Sequence, residues 1–252
     1  MLEQSATSSL TYEDLLISLR DEKLDVLNFL NEVMLMYPEA ISFCSGRPSD
    51  QFCYVENLDQ KLDLFLKTYS SLIEKNKFSA CTLGQYSKTK GIISDHIALM
   101  LEKDEGIKTL PDNIIITVGF QEAISLCLMT LFNKECDVLL CEDPTFVGII
   151  GIAKLLGIQI VPIPFKNDQI DLNILDNNVY EINKNKKRVK ALYVTPDFNN
   201  PTGNCMSYEN RKSLLRMANK YNFFSIHRSQ GVIIFNNKTC YNRLSDWTRI
   251  NC

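Results

Sequence analysis

Three short stretches of this chain carry the residue types that do chemistry, and each separates an apolar run from a helical pattern. The first is Thr117-Val118-Gly119-Phe120-Gln121-Glu122-Ala123. Gly119 permits a tight approach, and a helix starting there offers free backbone N–H groups and a positive dipole end. That is a phosphate cradle by physics, although a plain strand-to-helix turn is written in the same letters. The second is Glu142-Asp143-Pro144-Thr145-Phe146, after Leu139-Leu140-Cys141. A flat aromatic at a sheet's edge stacks on a flat ligand, or it fills the core. The third runs from Tyr193 through Asn199-Asn200-Pro201-Thr202-Gly203. Pro201 fixes a turn and Gly203 lets the backbone fold back. Read alone it is a turn, since N-P and T-G are turn dipeptides.

The elements that must position these loops follow from periodicity. Apolar residues at helical spacing predict a helix over 11–37, ended by Pro38, and further helices over 57–75 and 92–103. Ile41 to Pro48 reads as a short strand and glycine turn, and Thr82 to Gly91 as a polar loop. From residue 111 strands and helices alternate. Strands are expected at 114–118, 138–141, 158–163, 191–195 and 223–226, and helices at 121–132, 146–156 and 207–221. Short apolar strands alternating with helices predict an α/β fold of three layers, α/β/α, with a mostly parallel sheet covered on both faces. Ligands in such sheets sit at the carboxyl ends of the strands, where the three loops fall.

Composition bounds the rest. A chain of 252 residues, 45% apolar and 23% charged, buries a full core. A net charge of -3 gives no reason to expect nucleic acid or an anionic membrane as partner. The basic cluster from Lys184 to Lys190 reads as a solvated helix end before a buried strand. Nine cysteines, with no C-x-x-C pair and several inside apolar runs, fit reduced thiols in a cytoplasmic protein. With only His96 and His227 beside them, no zinc site is expected. The N-terminus does not read as a signal peptide, and no run reaches membrane-spanning length.

Together, the strand, N-N-P-T-G turn and helix resemble the pyridoxal-phosphate (PLP) aminotransferases of fold type I. The resemblance covers about residues 38 to 226 and points to the valine-pyruvate and multi-substrate, 2-aminoadipate-type subgroup. It implies that Phe120 and Gln121, in the family's G-x-Q-x-A segment, hold the cofactor phosphate. Phe120 replaces a small or hydroxyl residue there, so only its backbone N–H is left to donate. It implies that Phe146, in E-x-P-[ST]-[YF], stacks on the pyridine ring, and that Asn200 donates to the cofactor's phenolate oxygen. Ile41 to Pro48 resembles I-x-F-x-x-G-x-P, which places Gly46 beside the substrate carboxylate. Tyr86 and Gly91 resemble the family's Y-x-x-x-x-G segment, whose tyrosine in many members reaches the neighbouring subunit's cofactor phosphate, which implies a homodimer. The implied substrates are an amino acid and a 2-oxo acid.

The likeness stops after the strand at 223–226. The family continues with D-x-x-Y, whose aspartate pairs with the pyridine nitrogen and keeps the ring an electron sink. Here Arg228 stands at the aspartate position and Gly231 at the tyrosine position. No S-x-x-K segment follows for the Schiff base, and Lys238 comes too soon. The domains expected are a helical segment at 1–40, a partial PLP-transferase large domain at 41–226, incomplete at its C-terminal end, and a tail at 227–252 outside the family pattern. No small domain is expected. A frame shift near residue 225 accounts for such a break; a divergent short protein is the rival account. Three functions compete: an aminotransferase inactive as this chain, a non-catalytic PLP-binding or dimer-partner module, and another fold-type-I chemistry such as decarboxylation or racemisation.

Overall fold

The computed structural model describes Glu13, Phe29, Glu32, Val33, residues 35–41, 55–72, Gln85, Tyr86, and residues 88–229 and 232–236. These fall into two compact units. One holds residues 27–99 and 109–116, the other residues 1–26, 100–108 and 117–252.

The smaller unit is tied together by contacts between its chain segments. Helix α1, Leu58–Leu72, and the start of helix α2, Ser94–Glu105, lie in it. Phe65 meets the His96 ring edge-on at 6.0 Å. Ile116 N–H donates to the Lys90 carbonyl at 3.0 Å, and Lys90 Nζ donates to the Asp112 carbonyl at 2.8 Å. Gly91 sits at φ +92°, and a Cβ there would fall 2.6 Å from Ile116 Cγ1. The strand expected at 114–118 is not formed. Ile114 has extended dihedrals (φ -109°, ψ 131°), but no strand among the described residues pairs with the run. Extended backbone without a ladder partner stays a connection. Of the helix expected over 11–37, the described residues from Phe29 to Met36 are helical, and the chain leaves the helix at Tyr37, just before Pro38. The strand and turn expected at 41–48 lie outside the described residues beyond Ile41.

The larger unit is built on the expected sheet. In chain order it has α3 (Gly119–Leu131), β1 (Asp137–Asp143), α4 (Val147–Leu155), β2 (Gln159–Lys166), β3 (Gln169–Ile170), α5 (Leu172–Lys184), β4 (Arg188–Val194), α6 (Tyr208–Tyr221), β5 (Phe224–Ser229) and β6 (Val232–Asn236). The strand order is β3-β2-β1-β4-β5-β6. β2, β1, β4 and β5 run parallel, and β3 and β6 flank them antiparallel. β1 and β4 are buried along nearly their whole length, as central strands covered on both faces must be.

Strand alternation sorts the core into two faces. Val138, Leu140, Leu192 and Val194 pack with Leu175, Val179 and Ile182 of α5 and Leu214 and Ala218 of α6. Leu139, Cys141, Ala191, Tyr193 and Ile226 pack with Ile124 and Leu128 of α3 and Ile149 and Ala153 of α4. That is the three-layer α/β/α arrangement.

Three elements go beyond the sequence reading. α5 was not expected, although Asp171 caps it through Oδ1, accepting from Asn173 N–H at 2.9 Å and Ile174 N–H at 3.2 Å. Leu172, Leu175, Val179 and Ile182 behind that cap have helical spacing, a signal that was there to be read. The short β3 was also missed. β6 lies in the stretch expected to fall outside the family pattern, and β5 is paired with it from Ser225 to Ser229. The basic cluster does lie at the end of α5, with Arg188 opening β4.

Candidate functional site

Strand order reverses between β1 and β4: β1 leads to β2 on one side, and β4 leads to β5 on the other. Loops leaving the carboxyl ends there diverge and open a crevice. The loop after β1 carries Phe146 and the loop after β4 carries Asn200. A buried bond clasps the two strand ends, with Thr195 N–H donating to Glu142 Oε1 at 2.9 Å.

The start of α3 brings the third loop. Gly119 takes φ +76°, a conformation suited to glycine, and the side chain of the N-cap residue Val118 makes no capping bond. Glu122 folds back to accept from Val118 N–H, and Thr117 Oγ1 donates to the Gly119 carbonyl at 3.1 Å. Phe120 is half-buried and Gln121 exposed. The Phe120 ring meets the Phe146 ring edge-on at 5.6 Å and tilts against Tyr193 at 6.3 Å. Phe120 therefore packs into the core face below the crevice, and its side chain is no phosphate ligand.

Gln121 and Phe146 converge over Gly148, the second residue of α4. A Cβ on Gly148 would lie 2.3 Å from Phe146 Cε1 and 2.6 Å from Gln121 Oε1. Gly148→Ala must push both away. Its expected cost is about 1–3 kcal/mol, read as a lowered urea midpoint with an unchanged slope. A change within 0.3 kcal/mol would show that the loop yields freely.

The N-N-P-T-G turn divides its two asparagines. Asn199 is buried and holds the turn: its Oδ1 accepts from Thr202 N–H at 3.2 Å and Thr202 Oγ1 at 2.9 Å. Its carbonyl accepts from Gly203 N–H at 2.6 Å, where Gly203 has φ +73°. Asn200 is exposed, so its amide is displayed rather than used by the fold. Arg211 of α6 staples the whole loop. Its Nε donates to the Met206 carbonyl at 2.8 Å, its Nη2 to the Pro196 carbonyl at 3.1 Å and to Asp197 Oδ1 at 2.6 Å, and its Nη1 to Asp197 Oδ2 at 3.1 Å. The Arg211 and Asp197 side chains are 5% and 4% exposed. Sequence reasoning missed this pair, yet Arg211 shares one helical stripe with Leu214, Leu215 and Ala218.

β5 supplies the residues that most change the crevice. The Arg228 guanidinium lies 4.4 Å from the centroid of Phe146 and 4.7 Å from that of Phe120. Cation–π attraction to two rings holds it there. Its Nη1 is enclosed and has no hydrogen-bond acceptor. Tyr193 and Glu142 lie close enough to feel its charge. Burial pushes the Glu142 carboxyl up to about 8, against the pull of Thr195, Asn199 and Arg228. Glu142 Oε2 and Asn199 Nδ2 each lack a hydrogen bond of good geometry, although they are neighbours. Burial raises the Tyr193 phenol to about 12. His227, bonded to Ser225 Oγ through Nε2, is held down at about 3 by burial, with the Arg211 charge adding to the effect.

Phe120, Gln121 and Phe146 thus converge, and Asn200 stands on the loop beside them. Tyr86 belongs to the smaller unit and is fully exposed. Gly46 lies outside the described residues. Among the described residues no His, Cys, Asp and Glu cluster could hold a metal, and Cys127, Cys136, Cys141 and Cys205 are free thiols. Of these four, Cys141 is fully buried and the other three are half-buried.

Residues 58–227 match the family model described as "Aminotransferase class I and II". The chain is 38% identical over 216 residues to (S)-3,5-dihydroxyphenylglycine transaminase of Amycolatopsis orientalis, covering 84% of this chain and 49% of that one. It is 29% identical over 181 residues to 2-aminoadipate transaminase of Thermus thermophilus, covering 72% and 41%. Among solved structures it superposes on an archaeal alanine:glyoxylate aminotransferase with a TM-score of 0.65 and 26% identity, covering 81% and 48%. The chain spans about half the length of the relatives it matches.

Proposed function

Since the chain belongs to the class I and II aminotransferases, a family of PLP enzymes, we propose that its larger unit is the cofactor half of a site that moves an amino group between an amino acid and a 2-oxo acid. The observation that carries this reading is the displayed Asn200 on a turn locked by Asn199 and Arg211 at the reversal of strand order. Relatives named as transaminases support it.

The residues present fit one end of PLP and not the other. The Gly119 turn and the start of α3 suit a phosphate, and the exposed Asn200 amide suits a ring oxygen. The ring's own place on Phe146 is covered by Arg228, a cation where an acid is needed. No chemical step follows from that arrangement, and the 252-residue chain by itself is inactive on this reading. Its role alone is that of a non-catalytic binding or dimer-partner module.

A homodimer is part of the proposal, with Tyr86 reaching the neighbouring subunit; its full exposure supports this. Cytoplasmic location is inferred from the free thiols. No helix of the described residues is long and apolar enough to cross a membrane.

The test supplies PLP, a panel of acidic, aromatic and branched amino donors, and 2-oxoglutarate. The expected result is no amino transfer, weak PLP retention displaced by inorganic phosphate, and no single lysine fixed to the cofactor by borohydride. Turnover by this chain would overturn its inactivity. Release of carbon dioxide, or product without amino transfer, would point to another chemistry of the fold.

A further inference from the structure

We propose that Arg228 is the internal occupant of the cofactor-ring slot, so that this chain recognises the phosphate end of a phosphorylated pyridine and excludes its ring. The inference rests on the family reading above, and deepens it.

The geometry decides the matter. A planar ring stacks on an aromatic face about as closely as the Arg228 guanidinium now does, 4.4 Å from the Phe146 centroid. The two cannot share that place. Phe120 flanks the same place, edge-on to Phe146 and 4.7 Å from the same guanidinium. Gly148 admits no outward shift of Phe146 toward α4, because Phe146 Cε1 and the Gln121 amide already fill the space a Cβ would need. The crevice is thus closed by the chain's own cation in a box of two rings.

Charge works in the same direction. Protonation of a pyridine nitrogen is disfavoured beside a guanidinium. Glu142, whose carboxyl feels the Arg228 charge, accepts from Thr195 N–H through Oε1 at the clasp between β1 and β4. Gly119 and Gln121, on either side of Phe120 at the start of α3, are exposed. A phosphate there needs no movement of Arg228.

The experiment compares pyridoxamine 5'-phosphate with inorganic phosphate by calorimetry, and follows induced circular dichroism in the pyridine absorption band. Pyridoxamine phosphate carries no aldehyde, so surface lysines do not confuse the reading. The wild-type chain is expected to bind both within threefold of each other, with no induced band. Arg228→Ala is expected to tighten pyridoxamine phosphate at least tenfold, to induce the band, and to leave inorganic phosphate unchanged. Arg228→Gln, shorter and neutral but still polar, is expected to do the same and serves if the alanine variant does not fold. If the wild type already binds pyridoxamine phosphate tenfold better than phosphate, with an induced band, the slot is open. Arg228 is then not its occupant, while the family reading stands. If no protein binds either compound, the phosphate end itself has been misread, and the inference falls with it.

Discussion

Arg211→Ala is expected to cost about 3–5 kcal/mol of unfolding free energy, the range for stranding one member of a buried ion pair. Asp197 would remain almost fully enclosed without its cation, and the Pro196 and Met206 carbonyls would each lose a donor. The pair and both carbonyls belong to the loop that displays Asn200, so loss of the staple loosens that loop as well as the fold. Asp197→Asn combined with Arg211→Met should recover part of the loss and no more, because the Met206 carbonyl loses its Arg211 donor and the Pro196 carbonyl keeps only Met206 N–H. A double-mutant cycle by urea unfolding is expected to give a coupling of about 2 kcal/mol between the two positions. Single losses below about 1 kcal/mol that simply add would show that water enters the loop and replaces the arginine.

Stability against pH is expected to form a plateau with a shoulder on each side. Glu142 holds its proton to about 8 in the folded chain, against 4.5 ordinarily. Between those values the folded state binds more protons than the unfolded one, so stability falls as pH rises, by about 1.4 kcal/mol per pH unit. His227 is the reverse case, at about 3 when folded against 6.5 ordinarily. Between those values the unfolded state binds more protons, so stability is lost as pH falls. The two slopes cancel from about pH 4.5 to 6.5. Stability then declines from about 6.5 to 8 through Glu142, and from about 4.5 to 3 through His227. Asp137, held down by Arg188 in spite of burial, adds to the acid loss. Urea titrations across this range should show Glu142→Gln removing the alkaline decline and His227→Gln flattening the acid one. An unchanged profile in both variants would mean that neither group titrates as its surroundings dictate.

Much of the larger unit was legible because its strands and helices obey periodicity. Val138 to Cys141 and Ala191 to Val194 are apolar runs with no polar face, and both proved to be central strands. The loops were legible because Gly119, Pro201 and Gly203 have few other uses at such positions. What stayed hidden depends on partners distant in sequence. Ile114 to Val118 has strand composition, but composition does not supply a neighbour to pair with. Asp197 and Arg211 are 14 positions apart, and only the packing of α6 under the loop shows that they neutralise each other. Arg228 was read as a lost acid. Its place on Phe146 was invisible because it spans three loops and a strand. α5 was a different failure: Asp171 and the leucine spacing behind it were present and were passed over.

The hairpin of β5 and β6 sets where this sheet can grow. A strand has two hydrogen-bonding edges, and those of β5 are taken by β4 and β6. On this side of the sheet a further strand must therefore either exchange with β6 or add to its outer side. Val232-Ile233-Ile234-Phe235 is the composition most prone to such addition. Among the described residues no strand lies beyond it. The outer margin of β6 is the seam on this side of the sheet, the line along which another length of chain, its own or a neighbour's, would be stitched on.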